Sequence, residues 1–284
     1  MPVDAALHAP AHYEPAVPED GPRPAGASHP ATDILGLQVS AIDMPTAVAT
    51  IERWIADRER HYVCICTVHT VMECHRDPAL QRAVNAAGLR TPDGMPLVWL
   101  SRRAGHRHVQ RVYGPDLMLE LCARSAVTGH RHFFYGGAPG VAGELAARLQ
   151  RRFPGLQVAG TYTPPVLPVG AIEDAATIER INASGADIVW VGLGTPKQDW
   201  WVANHRPLLE APVLIAVGAA FDFHSGRVRQ APRWMQRNGL EWLFRLSQDP
   251  RRLWKRYVFG NAWFVSRVIA SSARLRLAGH PDGR

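Results

Sequence analysis

The amino-acid sequence predicts an α/β fold, a Rossmann-like parallel sheet with helices on both faces, over residues 32–228, followed by a basic, amphipathic helical extension over 229–284. Three observations lead to this prediction. Short apolar runs alternate with helical patterns, as in sheets built from right-handed β-α-β crossovers. The runs are apolar throughout, which is typical of strands buried on both faces. The length of 284 residues, with 46% hydrophobic composition, suits one large domain and an extension.

The predicted elements follow a proline-rich leader. Residues 1–31 hold seven of the 23 prolines and lack apolar periodicity, so we predict a disordered leader there. "TPDGM" (91–95) is not preceded by a long apolar run, but it is predicted as a tight turn that leads into a helix. The predicted strands are "YVCIC" (62–66), "HFFYG" (132–136), "LQVAG" (156–160), "DIVWVGL" (187–193) and "VLIAVG" (213–218). The clearest helical patterns are "GVAGELAARLQRRF" (140–153) and "AIEDAATIERINAS" (171–184).

The charge distribution and the cysteines indicate what kind of partner the protein has and in which compartment it works. The formal net charge is +7, and residues 226–284 alone contribute +10, with thirteen Lys/Arg against three Asp/Glu. This basic end indicates an anionic partner. Four cysteines without C-x-x-C spacing indicate reduced, buried thiols in a cytosolic protein. Because we find no signal peptide and no run of about 18 apolar residues, we expect a cytoplasmic protein that meets a membrane only at its surface.

The segments after the strands are the candidate site, because ligands of such sheets bind beyond the carboxyl ends of the strands. Gly136 and Gly137 in "YGGAPG", and Gly194 in "GLGTPKQ", precede helical patterns whose free N–H groups suit a diphosphate. Neither segment has the G-x-G-x-x-G spacing of dinucleotide-binding loops. On spacing alone, a simple turn is therefore favoured over a phosphate-binding loop.

Two aspartates in these segments have both a structural and a functional interpretation. Asp93 in "TPDGM" is either a helix cap, which the spacing favours, or a general base. Asp222 lies between aromatic residues, where a carboxylate needs a partner. A lysine or arginine from a neighbouring loop, or a substrate hydroxyl, would serve, and Lys197 and Gln198 are candidates. A structural ion pair is the equal alternative.

The sequence does not indicate a metal site or a hydrolase. Its thirteen histidines include no H-E-x-x-H, and there is neither a D-x-D nor a G-x-S-x-G motif. We therefore predict no metal site and no cofactor. Arginines, lysines and helix N-termini are expected to neutralise any bound diphosphate.

The C-terminal segment "GLEWLFRLSQDPRRLWKRYVFGNAWFVSRV" (239–268) combines aromatic residues with cations that include Arg245, Arg252 and Lys255. Pro250 is predicted to divide it into two helices. Such helices favour an anionic membrane surface, and the alternative is a packed terminal helix with a solvated basic face. Nucleic acid is not expected as a partner, because no nucleic-acid-binding module accompanies the charge.

Six motifs occur in order over roughly residues 33–260. They are "TPDGMPLVWLSRR", "RVYGPDLM", "FFYGGAPGVAGELAARL", "DIVWVGLGTPKQDWW", "AVGAAFDFHSGRVRQAP" and "GLEWLFRLSQDPRRLWKRY". Together they resemble the WecG/TagA/CpsF glycosyltransferases. The resemblance implies metal-independent, inverting transfer of a sugar from a nucleotide-sugar, usually a UDP-sugar, to a polyprenyl-diphosphate-linked saccharide. It further implies that the reaction takes place at the inner face of the cell membrane, in cell-surface polysaccharide biosynthesis.

The resemblance also implies catalytic roles. Asp93 matches the aspartate of the family's P-D-G motif and is the implied general base, which replaces the helix cap as our expectation. Arg111 matches the arginine of the R-V-x-G-x-D-L motif and is implied to stabilise the leaving diphosphate. Thr67 matches the threonine after the first predicted strand, near the implied base.

The implied substrate contacts fall on other motifs. The residues expected to line the sugar-nucleotide pocket are His69, Gly136, Gly137, Gly194, Lys197, Gln198 and Asp222. Many family members carry Asn-Ala-Glu where this chain has His69, Thr70 and Val71, so a plain hexose becomes the alternative to an N-acetylated donor sugar. Arg245, Arg252 and Lys255 are expected to contact lipid headgroups or the acceptor diphosphate.

Two other functions stay open at this stage. A nucleotide-dependent oxidoreductase is disfavoured by the absent G-x-G-x-x-G. A non-catalytic, membrane-associated protein that binds nucleotide-sugar or anionic lipid belongs to a different class. The sequence leaves undetermined the donor sugar, the acceptor saccharide and its linkage, and whether the protein forms a homo-oligomer.

Overall fold

The computed structural model describes residues 29–165 and 168–278, so most of the predicted leader lies outside the described residues. The side chains of Arg252, Arg256 and residues 272–278 lie outside them as well. The strands are β1 Ala31–Ile34, β2 Leu37–Ser40, β3 His61–Cys66, β4 Leu89–Pro92, β5 Arg131–Gly136, β6 Gln157–Tyr162, β7 Ile188–Gly192 and β8 Val213–Ala216. The helices are α1 Met44–Ala56, α2 Val68–Arg76, α3 Pro78–Asn85, α4 Met95–Arg103, α5 Gly114–Thr128, α6 Val141–Arg152, α7 Ala175–Ala183, α8 Lys197–His205, α9 Ala220–Ser225, α10 Arg233–Arg237, α11 Glu241–Gln248 and α12 Pro250–Ala278.

Six strands of the described chain form one parallel sheet, in the order β4–β3–β8–β7–β5–β6. The chain passes outward from β3 to β4, crosses to β5 and β6, and then returns through β7 and β8 to the centre. The predicted Rossmann-like α/β fold is confirmed, and each of the five predicted strands overlaps a strand of this sheet. Because the strands are parallel, their carboxyl ends share one edge, where the predicted site residues follow them.

The strand side chains alternate between two apolar layers. Val63 and Phe134 belong to the layer that α1, α5 and α6 cover. Their neighbours Cys64 and Phe133 belong to the layer under α2, α3 and α8. Because both faces are buried, no polar face interrupts the strands, which explains the continuous apolar runs of the sequence. The four cysteines are free and buried, as the sequence predicted.

Two short pieces of strand structure were not predicted. The antiparallel β1–β2 hairpin follows the leader, and β4 forms the edge of the sheet directly before Asp93. β4 has the sequence LRTP and lacks a long apolar run. Its Arg90 is nonetheless buried, because the guanidinium donates to the carbonyls of Gln38, Asn85 and Ala87. Satisfied backbone acceptors thus allow a polar sequence to form a buried edge strand.

The C-terminal extension forms helices that pack on the α/β domain. Pro250 begins α12 directly after α11, so the predicted division into two helical pieces is confirmed. The buried residues Leu253 and Phe264 of α12 face the domain, and Gly260 lies against the side chain of Met72 in α2. The outward side of α12 carries large exposed apolar side chains, namely Trp254, Val258, Phe259, Val265 and Ile269. Among the residues that the structure describes, none of the helices combines the length and hydropathy needed to span a membrane.

Candidate active site

The predicted site residues lie at the carboxyl edge of the sheet. Thr67 follows β3, Asp93 follows β4, Gly137 follows β5, Lys197 follows β7 and Asp222 lies in the helix after β8. Several of them lie in one of two regions of the structure. The first is a network of charged groups around Asp93, and the second is a cavity at the ends of β5 and β7.

Asp93 occupies a buried position at the end of the edge strand. Its backbone N–H donates to the carbonyl of Cys66 at 3.0 Å, which joins the ends of β4 and β3. Gly94 is the N-cap of α4 and no side chain caps this helix, so Asp93 does not serve as the helix cap that its spacing favoured. The carboxyl group instead faces Arg111, and only 7% of the residue is exposed.

Arg111 binds two carboxylates at once. Its Nη2 donates to Asp93 Oδ1 at 2.9 Å and to Glu241 Oε2 at 2.7 Å, and its Nε also donates to the Asp93 backbone carbonyl. The guanidinium carbon lies 3.9 Å from the ring centre of Tyr113. The Tyr113 hydroxyl donates to Glu241 Oε1 at 2.9 Å, which closes the network. These four residues, Asp93, Arg111, Tyr113 and Glu241, are called the Arg111 network below.

Burial and charge change the proton affinity of this network. Burial raises the pKa of Asp93 to about 6; the positive charge of Arg111 opposes that rise, and the negative charge of Glu241 adds to it. Burial lowers the pKa of Arg111, but Asp93 and Glu241 outweigh this effect and raise it. The network therefore holds a permanent cation beside a carboxyl group that exchanges its proton near neutral pH. Such a carboxylate suits a general base.

Glu241 and Tyr113 are site residues that the sequence interpretation missed. Glu241 comes from α11 in the C-terminal extension, 130 residues beyond Arg111. Its only signal in the sequence is that it is one of three acidic residues in residues 226–284, which hold thirteen Lys/Arg. Tyr113 lies within the "RVYGPDLM" motif but was not singled out.

The second region is a cavity of about 160 Å³ at the ends of β5 and β7. Gly137 and Lys197, both predicted to bind donor, line it together with Tyr135, Glu173 and Trp201. The Tyr135 hydroxyl donates to Glu173, and the Trp201 ring lies against Tyr135 with centroids 4.3 Å apart and the planes inclined by 32°. Among its described lining residues, the cavity thus offers aromatic surface, the Lys197 cation and the Glu173 carboxyl group. Glu173 had no recognisable signal in the sequence.

The glycines before these helices adopt backbone conformations with positive φ. Gly136 has φ of +112°, and a Cβ there would lie 2.8 Å from the Gly192 carbonyl oxygen. Gly194 has φ of +77°, and its N–H donates to Gln198 Oε1 at 3.0 Å. Gln198 is buried, and its described contact stabilises the turn. The backbone conformation alone therefore accounts for glycine at both positions.

Asp222 is not paired with either of the two candidate partners named from the sequence. No hydrogen bond or ion pair joins it to Lys197 or Gln198 among the described side chains, because Gln198 points its oxygen at the Gly194 turn. The cation that interacts electrostatically with Asp222 is Arg227, which also forms an ion pair with Glu144 at 3.1 Å. Asp222 is partly buried in α9.

Thr67 and His69 lie at the start of α2. The Thr67 side chain caps this helix, and Thr70 completes a reciprocal capping box. His69 Nδ1 lies 3.7 Å from Glu73 Oε1 on the same helix. Since Asp93 is hydrogen-bonded to Cys66, the residue before Thr67, the start of α2 borders the Arg111 network.

The predicted membrane-contacting cations lie on the last two helices. The Arg245 guanidinium carbon is 5.7 Å from the ring centre of Phe223, the residue after Asp222, so α11 contacts α9 as well as the Arg111 network. Lys255 Nζ lies 5.7 Å from the ring centre of the exposed Trp254. The side chain of Arg252 lies outside the described residues.

A further buried acid, Asp199, lies within the "TPKQDWW" motif and was also missed. It is fully buried in α8 beside Thr195 and Cys64. Burial raises the pKa of Asp199 to about 7, although contacts with Thr195 and Cys64 oppose the rise. Across residues 29–165 and 168–278, no group of three or more His, Cys, Asp and Glu side chains could hold a metal ion.

Comparisons with known proteins agree with the motif resemblance. The model of the Glycosyl transferase WecG/TagA/CpsF family matches residues 32–278. A relative from Bacillus spizizenii strain W23 is 34% identical over 65% of this chain and 69% of its own length. One from Bacillus subtilis strain 168 is 30% identical over 75% of this chain and 84% of its own length. Both are named N-acetylglucosaminyldiphosphoundecaprenol N-acetyl-beta-D-mannosaminyltransferase.

Proposed function

Because this chain belongs to the WecG/TagA/CpsF glycosyltransferase family, we propose that it transfers a sugar from a nucleotide-sugar, with a UDP-sugar as the preferred donor class, to a polyprenyl-diphosphate-linked saccharide. The product would serve cell-surface polysaccharide biosynthesis. The names of the two relatives support a lipid-linked acceptor. The observation that carries the proposal is the buried Asp93 carboxyl group, which Arg111 holds at the carboxyl edge of the sheet.

The proposed reaction is a single in-line displacement with inversion at the anomeric carbon. Asp93 accepts the proton of the acceptor hydroxyl, whose oxygen forms the new bond to the anomeric carbon. The bond from that carbon to the diphosphate oxygen breaks, and the nucleoside diphosphate leaves with the electron pair. Arg111 and the N–H groups at helix starts neutralise the departing charge without a metal ion.

The pKa of Asp93 supports its role as the base. With a pKa of about 6, about nine in ten Asp93 carboxylates are ionised at pH 7. The same carboxylate binds a proton more tightly than an ordinary aspartate, which makes it a stronger base. Thr67, at the adjacent helix start, is proposed to contact the acceptor side of this centre.

We assign the donor to the cavity region. Gly136, Gly137, Gly194 and Lys197 would face the diphosphate and nucleoside, with Gln198 supporting the turn. Asp222 and His69 would contact the sugar or ribose. The relatives are named for an N-acetylated sugar, whereas His69 replaces the asparagine that many family members carry, so both sugar classes are to be tested.

The C-terminal extension is proposed to lie on the inner face of the cell membrane. The exposed side of α12 presents Trp254 and Phe259, and Lys255 lies beside them. Aromatic residues with basic neighbours suit the headgroup region, and each cation near an anionic surface contributes about 1 kcal/mol. Arg245 and Arg252 would contact headgroups or the acceptor diphosphate.

The direct test is a transfer assay with the full chain. A panel of UDP- and GDP-sugars is offered with a polyprenyl-diphosphate-linked N-acetylglucosamine, and nucleoside diphosphate release is measured with and without EDTA. We expect release with one UDP-sugar, unaffected by EDTA, and an inverted anomeric configuration by NMR. Binding of a nucleotide-sugar without release, on any lipid-linked acceptor, would favour a non-catalytic binding protein instead.

A further inference from the structure

Glu241 is an acidic residue of the basic C-terminal extension, and it lies inside the candidate site. Its side chain is only 14% exposed, and both of its oxygens are used inside the site. One accepts from Arg111 at 2.7 Å and the other from the Tyr113 hydroxyl at 2.9 Å. α11 has no other acid, so this carboxylate is the only one that the helix brings to the network.

Three neighbours constrain Arg111. Its Nε and Nη2 donate to Asp93, and Nη2 also donates to Glu241. The guanidinium carbon lies 3.9 Å from the ring centre of Tyr113. A planar guanidinium held by two carboxylates and an aromatic ring has little rotational freedom left. Without Glu241, one of the two carboxylate contacts and the hydrogen-bond acceptor of the Tyr113 hydroxyl are both lost.

We propose that Glu241 is a positioning residue of the transfer reaction, which locks Arg111 against Asp93 when α11 is docked on the α/β domain. This proposal rests on the function proposed above, in which Asp93 is the base and Arg111 neutralises the leaving group. The catalytic centre is then complete only in the docked state, since the α/β domain alone supplies three members of the Arg111 network and lacks the fourth.

The charges around Asp93 give this arrangement a measurable signature. Arg111 and Tyr113 face Asp93 from the segment before α5, Glu241 faces it from α11, and the pair of Arg233 and Asp116 lies at the rim, 2.7 Å apart. The negative charge of Glu241 is one cause of the raised pKa of Asp93. Removing it must lower that pKa, because Arg111 would then be shared with no other carboxylate.

The experiment compares Glu241→Gln with the matched control Glu120→Gln in the full chain. Glu120 also pairs with an arginine, but on the surface of α5, with 47% of its side chain exposed. The first readout is the carboxyl ¹³C titration of Asp93, assigned by its absence in Asp93→Asn. The second is kcat/KM for sugar transfer at several pH values, including pH 8, where Asp93 is ionised in every variant.

For Glu241→Gln we expect the titration midpoint of Asp93 to fall below that of the unsubstituted protein. At pH 8 we expect kcat/KM to drop on the order of 10-fold, equivalent to about 1.4 kcal/mol. Tyr113→Phe, which removes only the hydroxyl that holds Glu241, should lower kcat/KM in the same direction. Glu120→Gln should change neither readout.

Three results would overturn the proposal. An unchanged Asp93 titration in Glu241→Gln would mean that α11 is not docked on the network in solution. An unchanged kcat/KM would mean that Glu241 does not position Arg111, and a raised kcat/KM would mean that it blocks Arg111. If Asp93→Asn retains turnover, the proposed base is wrong; the titration still reports separately whether Glu241 acts on Asp93.

Discussion

Replacing Asp93 by asparagine separates two consequences of burying this carboxyl group, one for activity and one for stability. The substitution keeps the size of the side chain and removes its charge. As the proposed base, Asp93 contributes about 10²- to 10⁴-fold to turnover. We therefore expect kcat/KM of Asp93→Asn to fall by that factor at pH 8, with the fold intact.

The stability effect has the opposite sign. Folding raises the pKa of Asp93 from 3.8 to about 6, so the folded protein binds this proton more tightly than the unfolded chain does. The free energy of unfolding therefore falls as the pH rises through this window and stays lower above about pH 6. One pH unit corresponds to about 1.4 kcal/mol, so the ionised carboxylate costs up to about 3 kcal/mol. The neutral amide that Asp93→Asn introduces avoids this cost at pH 8.

The assay pairs transfer kinetics with chemical denaturation at pH 5 and pH 8. The acid limb of kcat/KM in the unsubstituted protein should have its midpoint near pH 6. Asp57→Asn is the control, since Asp57 forms only an exposed pair with Arg53 at 3.8 Å. Near-normal turnover of Asp93→Asn would refute its role as the base. A variant clearly less stable than the unsubstituted protein at pH 8 would refute the burial argument.

Three further predictions address other parts of the molecule. Arg111→Lys keeps the charge but loses the planar guanidinium that binds two carboxylates. Because hydrogen bonds to charged groups contribute about 1.5–3 kcal/mol, kcat/KM should fall at least about 10-fold, and unchanged steady-state kinetics would contradict this. The double substitution Trp254→Ser and Phe259→Ser should weaken co-sedimentation of the protein with anionic vesicles without lowering its melting temperature, because both side chains are exposed. Undiminished co-sedimentation would contradict the proposed membrane contact. Gly136→Ala should destabilise the protein by about 1–3 kcal/mol in thermal denaturation, because Gly136 has φ of +112° and the new Cβ would lie 2.8 Å from the backbone of Gly192. The control is Gly143→Ala, at a helical position where a Cβ meets open space.

Elements that depend on local interactions could be predicted from the sequence, and elements that depend on contacts between distant residues could not. The five apolar runs predicted strands correctly because burial on both faces affects every residue of a run. β4 was missed because its burial depends on Arg90 reaching the carbonyls of Gln38, Asn85 and Ala87. Those contacts leave no periodic pattern in "LRTP".

The same distinction between local and long-range interactions applies to the candidate site. The location of Lys197 at the carboxyl edge was predictable, because the strand before it was predicted. The location of Asp93 at the end of a strand was not, because β4 was missed. Among the described side chains, no hydrogen bond or ion pair joins Asp222 to either candidate, Lys197 or Gln198, because neighbouring loops at one edge do not have to face each other. Gln198 turns back to the Gly194 N–H, and Arg227 is the cation near Asp222.

By itself, the sequence determined the α/β class, the edge of the sheet where the candidate site residues lie, and the family to which the motifs belong. These follow from local periodicity and from residues adjacent to strand ends. Only the tertiary structure decided that Glu241 reaches Arg111 across 130 residues and that Asp93 is buried beside both. The physical reason is that a charge acquires its proton affinity from neighbours in space, and the docking of α11 on the α/β domain selects those neighbours.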